Sequence, residues 1–179
     1  MIEDTKASVG AVIVTGIPGA GKSTIARALA GRQQFGAHLD IDAIYDLIVG
    51  GIVFRSDSPA EDWWQLELAR AHVATLATSF AQHGVLPVVD DVIADRGVLD
   101  GYVRRLPHPV RLIVLAPHLE VVLQRDATRS KHVAERWAYL AEPMSRELAG
   151  VGLWLDTSTL DVRATLAMID SGRNNALLP

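Results

Sequence analysis

The sequence predicts an α/β fold in which a five-stranded parallel sheet is covered by helices on both faces. Three observations lead to this prediction. Short apolar runs rich in Val and Ile recur along the chain, helical patterns separate them, and the runs lack the alternation of a half-solvated strand. Strands and helices that alternate in this way form doubly wound sheets, in which ligands bind at the carboxyl ends of the strands.

The elements follow one another in the order that such a sheet requires. The helix over residues 59–83 has the clearest signal, because apolar residues recur at three- and four-residue spacing between a start signal at Pro59 and a stop signal at Gly84. The predicted strands cover residues 9–15, 36–40, 85–90, 110–116 and 151–155. The predicted helices cover residues 22–33, 42–49, 59–83, 96–106, 118–130, 132–149 and 160–171.

The composition is that of one folded domain, predicted to span residues 1–179. Hydrophobic residues make up 49% and charged residues 21% of the chain, which excludes a disordered or low-complexity protein. The net charge of −4 supplies no general attraction for nucleic acid. The absence of cysteine excludes disulfides, thiolate zinc sites and cysteine nucleophiles.

The chain carries no pattern of an export signal or a membrane anchor. Acidic residues stand near the N-terminus where a secretory signal is basic, and the apolar runs fall far short of the roughly 18 residues that cross a bilayer. We therefore expect a cytoplasmic protein with no membrane partner, as a monomer or a homodimer.

A glycine-rich segment, GIPGAGKST, follows the first predicted strand. It matches the phosphate-binding loop, in which glycines let backbone N–H groups face phosphate oxygens. Lys22 would reach the β and γ phosphates and the Ser23 hydroxyl could ligate Mg²⁺. The alternative, in which the segment has no binding role, is a glycine-rich turn with an ordinary surface lysine. The predicted cofactors are ATP and Mg²⁺, and the predicted nucleotide-binding residues are Gly16, Pro18, Gly19, Ala20, Gly21, Lys22, Ser23 and Thr24.

Two aspartates, Asp40 and Asp42, end the second predicted strand and lie on the same side of an extended chain. A carboxylate beside the mouth of the phosphate-binding loop can accept the proton of an attacking hydroxyl. Asp42 is predicted to be this catalytic base and to contact the substrate, while Asp40 would orient it or hold a magnesium-bound water. The alternative is that either residue caps the following helix.

A second pair of aspartates, Asp90 and Asp91, ends the third predicted strand. This is the arrangement of an acid that holds the Mg²⁺ shell of bound ATP. We assign Asp90 to the metal and Asp91 to the substrate, although the sequence leaves open which one serves the metal, and a helix cap or a solvated strand end is the alternative. Val92 follows where many ATPases carry a water-activating glutamate, which favours transfer over hydrolysis. Guanine recognition is not expected, because no Asn-Lys-x-Asp stretch is present.

A basic segment over residues 125–136 is predicted to form a lid. Arginines that close over the moving phosphoryl group stabilise its charge and exclude water. Arg129 is the first candidate for this catalytic role and Arg125 the second. A solvated basic helix face, paired with Glu135 or Asp126, would give the same pattern.

The substrate side is expected near a loop over residues 50–62. Of Trp63 and Trp64, only one can point fully to the core of a helix-covered sheet, and core packing is favoured over a role for Trp63 in stacking on the substrate. Arg55 is assigned to an anionic acceptor, but nothing in the sequence separates it, Arg70 or Arg96 from surface arginines.

These motifs resemble those of small P-loop phosphotransferases, most closely chloramphenicol phosphotransferase-like proteins. The resemblance spans nearly the whole chain and implies a P-loop NTPase-type three-layer sandwich, with Asp42 as the base, Lys22 on phosphate and Arg129 in the lid. Asp40 and Asp42 are also similar to the Asp-x-Asp of shikimate kinase. The chain departs from the family in the lid and in the 50–62 loop, so no acceptor is implied. The segments that carry the resemblance are GIPGAGKST, HLDIDAIYDLI, GVLPVVDDVIADRG, QRDATR and LDTS.

The sequence therefore predicts an ATP-dependent phosphotransferase that acts on a hydroxyl of a small molecule, either antibiotic-like or sugar-like. One alternative is a kinase for nucleosides, nucleotides or polynucleotide 5′ ends. The other is a non-catalytic ATP-binding module whose occupancy controls a partner.

Overall fold

A computed structural model describes residues 9–53, 59–127 and 134–179, apart from the side chains of residues 59–62. Its single sheet has five strands, all parallel, in the spatial order β2-β3-β1-β4-β5. The predicted five-stranded parallel sheet is confirmed. The strands are β1 (Ala11–Thr15), β2 (Gly36–Asp40), β3 (Leu86–Asp90), β4 (Val110–Leu115) and β5 (Leu153–Leu155).

Helices connect consecutive strands and cover both faces of the sheet. Helix α1 packs against α8, and α3 packs against α4. Because crossovers between parallel strands are right-handed, these two pairs lie on opposite faces. None of the helices in the described ranges is long and apolar enough to span a membrane. The helices are α1 (Lys22–Gly31), α2 (Ile41–Tyr45), α3 (Pro59–Gln82), α4 (Arg96–Arg105), α5 (Leu119–Ala127), α6 (Ala134–Trp137), α7 (Ala141–Glu147) and α8 (Val162–Ser171).

The core lies along the three central strands. Ile13, Val88 and Leu112 have no exposed surface, and burial of such a side chain contributes about 1.5–3 kcal/mol relative to exposure. The outer strand β2 is only partly buried. Its sequence signal is weaker for that reason, since an edge strand does not need apolar residues on both faces.

Two predicted helices differ from the observed ones. Helix α2 ends at Tyr45 rather than at residue 49, and the chain continues in turns in which the N–H groups of Leu47 and Ile48 bond to the backbone oxygens of Ile44 and Tyr45. The helix predicted over residues 132–149 is divided into α6, a 3₁₀ turn (Ala138–Leu140) and α7. Pro143 lies in the first turn of α7, where proline is tolerated, whereas the interior of one continuous helix would exclude it.

Candidate active site at the carboxyl ends of three strands

The strand register brings the predicted phosphate loop and the predicted acids to one edge of the sheet. Asp90 is the Cα partner of Asp40 on β2 and of Val14 on β1. Residues 16–24, which form the predicted phosphate loop, follow directly after β1. Asp90 therefore lies between the phosphate loop on one side and the end of β2 on the other.

The phosphate loop has a backbone that only glycine accommodates at some positions. Gly19 has a φ of +91° and Gly21 has a φ of +97°. A Cβ on Gly19 would lie 2.7 Å from Cγ1 of Val122 on α5, so the loop also packs too closely for a side chain there. The conformation is the one that the loop prediction requires.

The N-terminus of α1 is open to a ligand. Gly21 occupies the N-cap position and has no side chain with which to accept the first N–H groups. Ser23 and Thr24 are exposed on the first turn, and Nζ of Lys22 lies 3.5 Å from the backbone oxygen of Ile17 in the same loop. Uncapped N–H groups, a helix dipole and an ammonium group together form an anion-binding site.

Asp40 caps α2, as one interpretation of the sequence allowed. Its Oδ1 accepts a hydrogen bond from the backbone N–H of Asp42 at 3.0 Å. Burial and the negative charge of Asp90 raise the pKa of Asp40 above its ordinary value. Asp42 itself has an exposed side chain on the first turn of α2. The cap thus fixes the backbone from which the predicted base projects.

His38 belongs to the same group of side chains and was missed by the sequence prediction. Its Nε2 lies 3.4 Å from Oδ2 of Asp90, and ligand atoms of His38, Asp40 and Asp90 all lie within 4.8 Å of one another. The available signal was the spacing HLD, because residues two apart on a strand share one side. A single histidine in an edge strand is too common for that spacing to identify a site.

Asp91 does not lie in the open part of this edge. It is 1% exposed, and its Oδ2 accepts hydrogen bonds from Nε of Arg70 at 2.9 Å and from the hydroxyl of Tyr102 at 3.0 Å. Its Oδ1 accepts the N–H of Val92 at 2.7 Å. These hydrogen bonds occupy both oxygens of Asp91 and so argue against the predicted contact with substrate, and Arg70 is an internal residue rather than a surface arginine.

A buried glutamine fixes the loop on the predicted acceptor side. Gln65 is 2% exposed, its Nε2 donates to the backbone oxygen of Gly51 at 2.8 Å, and its Oε1 accepts the N–H of Val53 at 3.0 Å. The Tyr45 hydroxyl lies 3.1 Å from the same Oε1. Residues 54–58, which include Arg55, lie outside the described residues. Nothing in the sequence distinguished Gln65 from an exposed glutamine.

The tryptophan pair is not packed in the core. Trp63 is 57% and Trp64 is 55% exposed, so the prediction of core packing was wrong. Both lie near the start of α3, directly before the buried Gln65. Trp63 lines a cavity of about 230 Å³ between α3 and α4, which leaves its ring available for stacking.

The predicted lid is described only at its two ends, and Arg129 lies outside the described residues. Nη2 of Arg125 donates to the backbone oxygen of Thr157, after β5, at 2.7 Å. Asp126 is 4% exposed, and its Oδ2 accepts the N–H of Ala134 at 2.9 Å. Asp126 therefore connects the two ends of the segment and is not part of a solvated face.

The described residues fit a hard divalent cation such as Mg²⁺. Ser23 offers an exposed hydroxyl at the phosphate loop, and Asp40 and Asp90 offer carboxylates on the neighbouring strand ends. Oxygen ligands of this kind suit Mg²⁺, which is usually held by one or two carboxylates together with substrate phosphates. Burial, and after it the charge of Asp90, raise the pKa of Asp40, and a cation bound between the two carboxylates would oppose both effects.

Comparison with known proteins identifies a matching family and a related kinase. A family model described as AAA domain matches residues 12–143. The adenylyl-sulfate kinase of Chloroflexus aurantiacus (strain ATCC 29364 / DSM 637 / Y-400-fl) is 29% identical over 116 residues, which are 63% of this chain but only 58% of that protein.

Two solved structures have the same fold at lower identity. A sugar kinase from Janibacter sp. HTCC2649 is 21% identical with a TM-score of 0.63, over 93% of this chain and 97% of that one. The tunicamycin resistance protein of Deinococcus radiodurans is 20% identical with a TM-score of 0.64, over 94% of this chain and 98% of that one. These similarities extend the predicted three-layer architecture to nearly the whole chain.

Proposed function

The chain belongs to the AAA domain family and has the fold of P-loop kinases, and on this premise we propose that it is an ATP- and Mg²⁺-dependent phosphotransferase. Its acceptor is a hydroxyl of a small molecule, antibiotic-like or sugar-like. The similarity to a tunicamycin resistance protein supports an antibiotic-like acceptor, and the similarity to a sugar kinase supports a sugar-like one. Both similarities are to the fold alone.

One observation carries the proposal, which is the position of Asp42. Its exposed carboxylate projects from the first turn of α2, directly beyond the strand that pairs with Asp90. Its backbone is fixed by the Asp40 cap at 3.0 Å. A general base needs a defined position at the edge where the γ phosphate would be presented, and the fixed backbone of Asp42 at this edge supports that role.

The surroundings of Asp91 favour transfer over hydrolysis. This residue directly follows the proposed metal acid and directly precedes Val92, and it is the other carboxylate at this strand end that could activate water. Both of its oxygens are occupied by hydrogen bonds from Arg70, Tyr102 and Val92, and it is 1% exposed. Without a free carboxylate at that position, Asp42 is left to act on the hydroxyl of a bound acceptor.

In the proposed reaction the acceptor oxygen forms a bond to the γ phosphorus while the bond between that phosphorus and the leaving oxygen of ADP breaks. Asp42 takes the hydroxyl proton. The amides of the phosphate loop and Lys22 hold the triphosphate, and Arg125 and Arg129 would cover the moving group. Ser23, Asp40 and Asp90 would hold Mg²⁺, which neutralises charge on the β and γ phosphates.

The direct test is transfer of labelled γ-phosphate from ATP to a panel of antibiotics, sugars and other alcohols. We expect ADP release that depends on one acceptor class and on Mg²⁺. ADP release at the same rate with and without every acceptor would contradict the proposal. ATP that is bound but remains intact, while a protein partner is gained or lost, would identify a non-catalytic module instead.

A nucleotide acceptor is the second candidate, because the curated relative is an adenylyl-sulfate kinase. Nucleosides and nucleotides therefore belong in the same panel. A nucleic-acid 5′ end is less favoured, since the net charge of −4 gives no general attraction for a phosphate backbone. Labelled oligonucleotide product with salt-sensitive affinity would select that alternative.

A further inference from the structure

We propose that His38, Asp40 and Asp90 form a binding site for a divalent transition metal such as Zn²⁺ or Co²⁺, at the side of the sheet edge next to the phosphate loop. The proposal deepens the proposed function, on which it rests only for the consequence that this cation would lie beside the transferred phosphate. The binding itself is a property of these three side chains.

Two rigid strands hold the three ligands in place. His38 and Asp40 lie on one side of β2, and Asp90 is the Cα partner of Asp40 on the neighbouring strand β3. Ligand atoms from all three lie within 4.8 Å of one another. A site built on paired strands needs little rearrangement to bind a metal.

The separation of His38 and Asp90 matches two ligands of one metal. Nε2 of His38 lies 3.4 Å from Oδ2 of Asp90, which is longer than the roughly 2.7–3.2 Å of an ordinary N–H···O hydrogen bond. Two ligands at about 2.0–2.1 Å from a tetrahedral metal lie roughly 3.4 Å apart. The pair is therefore spaced for a shared cation at least as well as for a direct hydrogen bond.

The charge of the cluster also calls for a cation. Asp90 is 2% exposed, and an oxygen of its carboxylate lies within 4.8 Å of one of Asp40. In the described part of the chain, the imidazole of His38, at 3.4 Å, is the one side-chain group that contacts the Asp90 carboxylate as a possible ion-pair partner. Two neighbouring carboxylates, one buried and the other half-buried, are unfavourable unless a positive charge lies near them.

The imidazole determines which cation fits. Carboxylates alone suit Mg²⁺, whereas imidazole nitrogen favours metals such as Zn²⁺ and the later first-row ions. His38 would therefore make the cluster prefer such metals to Mg²⁺. The hydroxyl of Ser23 and the phosphates have no such preference. The competing explanation is that an imidazolium of His38 simply neutralises Asp90, in which case no metal binds.

Metal titration of the nucleotide-free protein distinguishes the two. We expect one Zn²⁺ or Co²⁺ per chain by equilibrium dialysis, Mg²⁺ binding at least about tenfold more weakly, and visible absorption of bound Co²⁺ typical of a nitrogen ligand. His38→Ala should weaken Zn²⁺ and Co²⁺ binding at least tenfold, since loss even of a supporting residue typically costs about 10–100-fold in metal affinity. His72→Ala, an exposed histidine of α3, is the matched control and should leave binding unchanged.

Asp90→Asn provides a second variant, which should also lose Zn²⁺ and Co²⁺, and circular dichroism identifies any variant that is unfolded. Absence of nucleotide-free Zn²⁺ and Co²⁺ binding in the wild-type protein would overturn the proposal. Equal affinity in the His38→Ala and His72→Ala variants would overturn it as well. Because no nucleotide or acceptor is present, such a failure leaves the phosphotransfer proposal standing, which only the acceptor panel tests.

Discussion

Nε of Arg70 lies 2.9 Å from Oδ2 of Asp91, in an ion pair that is buried where α3 meets the end of β3. Arg70 is 6% and Asp91 is 1% exposed. Nη1 of Arg70 also contacts Glu67 at 2.9 Å, and Tyr102 donates to Asp91 from α4. The backbone N–H of Asp91 lies 3.4 Å from the oxygen of Val14 on β1. The pair therefore joins two helices to the strands that carry the candidate active site.

Loss of one partner of this ion pair should destabilise the protein strongly. We expect Arg70→Met to lower the free energy of unfolding by about 3–5 kcal/mol, because it leaves the Asp91 carboxylate buried without its countercharge. The double variant Arg70→Met/Asp91→Leu removes both charges and should recover much of that loss. Urea denaturation of the wild-type protein, both single variants and the double variant gives the coupling free energy between Arg70 and Asp91.

Arg96→Met is the control for that experiment, because Arg96 pairs with Asp100 at an exposed position on α4. Exposed pairs of this kind contribute about 0.2–1 kcal/mol. If Arg70→Met costs no more than Arg96→Met, the buried pair is not important for stability. If the double variant loses the sum of the two single losses, the residues do not act as a pair.

Tyr102 should make the folded protein sensitive to alkaline pH. Burial and the charge of Asp91 raise the pKa of Tyr102 well above its ordinary value. The unfolded chain releases the phenol proton from about pH 10, while the folded chain keeps it. The stability that the neutral phenol contributes is therefore complete below about pH 10, and as pH rises further it is lost at up to about 1.4 kcal/mol per pH unit.

Tyr102→Phe removes this source of pH dependence. At pH 8 the variant should be less stable by about 1.5–3 kcal/mol, because the hydrogen bond to a buried carboxylate is lost. Above pH 10 the difference in the free energy of unfolding between the variant and the wild-type protein should become smaller. Urea denaturation at several pH values between 8 and 11 measures both effects, and parallel curves for the two proteins would contradict the predicted role of the phenol.

The sheet could be predicted because each strand and the phosphate loop can be recognised from a short stretch of sequence. Central strands such as β1 and β3 are apolar on both faces, and the phosphate loop has a fixed spacing of glycines, Lys22 and Ser23. Asp40, Asp42 and Asp90 could also be placed at one edge, since parallel strands end together. The roles of these residues in binding and catalysis stay predictions.

What the sequence could not supply was the pairing of side chains distant along the chain. Asp91 looked equivalent to Asp90, but successive residues of an extended chain point to opposite sides of the sheet. Asp90 therefore reaches His38, whereas Asp91 reaches Arg70. Arg70 looked like a surface arginine because its partner is 21 residues away. Trp63 and Trp64 looked like core residues because they are large and apolar, although both are exposed near the start of α3.

Gly19 tests the packing beneath the phosphate loop. Gly19→Ala should lower both stability and ATP affinity, because its φ of +91° disfavours a side chain and the new Cβ would lie 2.7 Å from Val122. The left-handed conformation alone costs about 1–2 kcal/mol. Adding Val122→Ala should relieve the contact but not the backbone strain. Thermal unfolding and ATP titration measure the two properties.

Gly101→Ala is the matched control, because a Cβ at this position in α4 meets no atom within 4 Å. Alanine in a helix interior is favoured over glycine by about 0.5–1 kcal/mol. The control should therefore be slightly stabilised and bind ATP normally. A Gly19→Ala variant that behaves like the control would show that the loop tolerates a side chain, against the geometry found here.

Asp42→Asn tests the proposed base directly. The variant should keep its ATP affinity within about twofold, because Asp42 lies on α2 and not in the phosphate loop. Transfer should fall by roughly 10²- to 10⁴-fold, which is the usual contribution of a positioned general base. The backbone N–H that Asp40 caps is unchanged by the substitution, so α2 should stay folded. ATP titration, single-turnover transfer and circular dichroism measure these three properties.

Asp46→Asn removes an exposed carboxylate just beyond the end of the same helix and leaves its first turn intact. It should transfer phosphate at the wild-type rate, so that loss of charge on α2 alone is separated from loss of the base. Equal rates in the Asp42→Asn and wild-type proteins would reject the base assignment. Loss of ATP binding in Asp42→Asn would instead place this carboxylate in nucleotide binding, since Lys22 and the loop amides are unchanged.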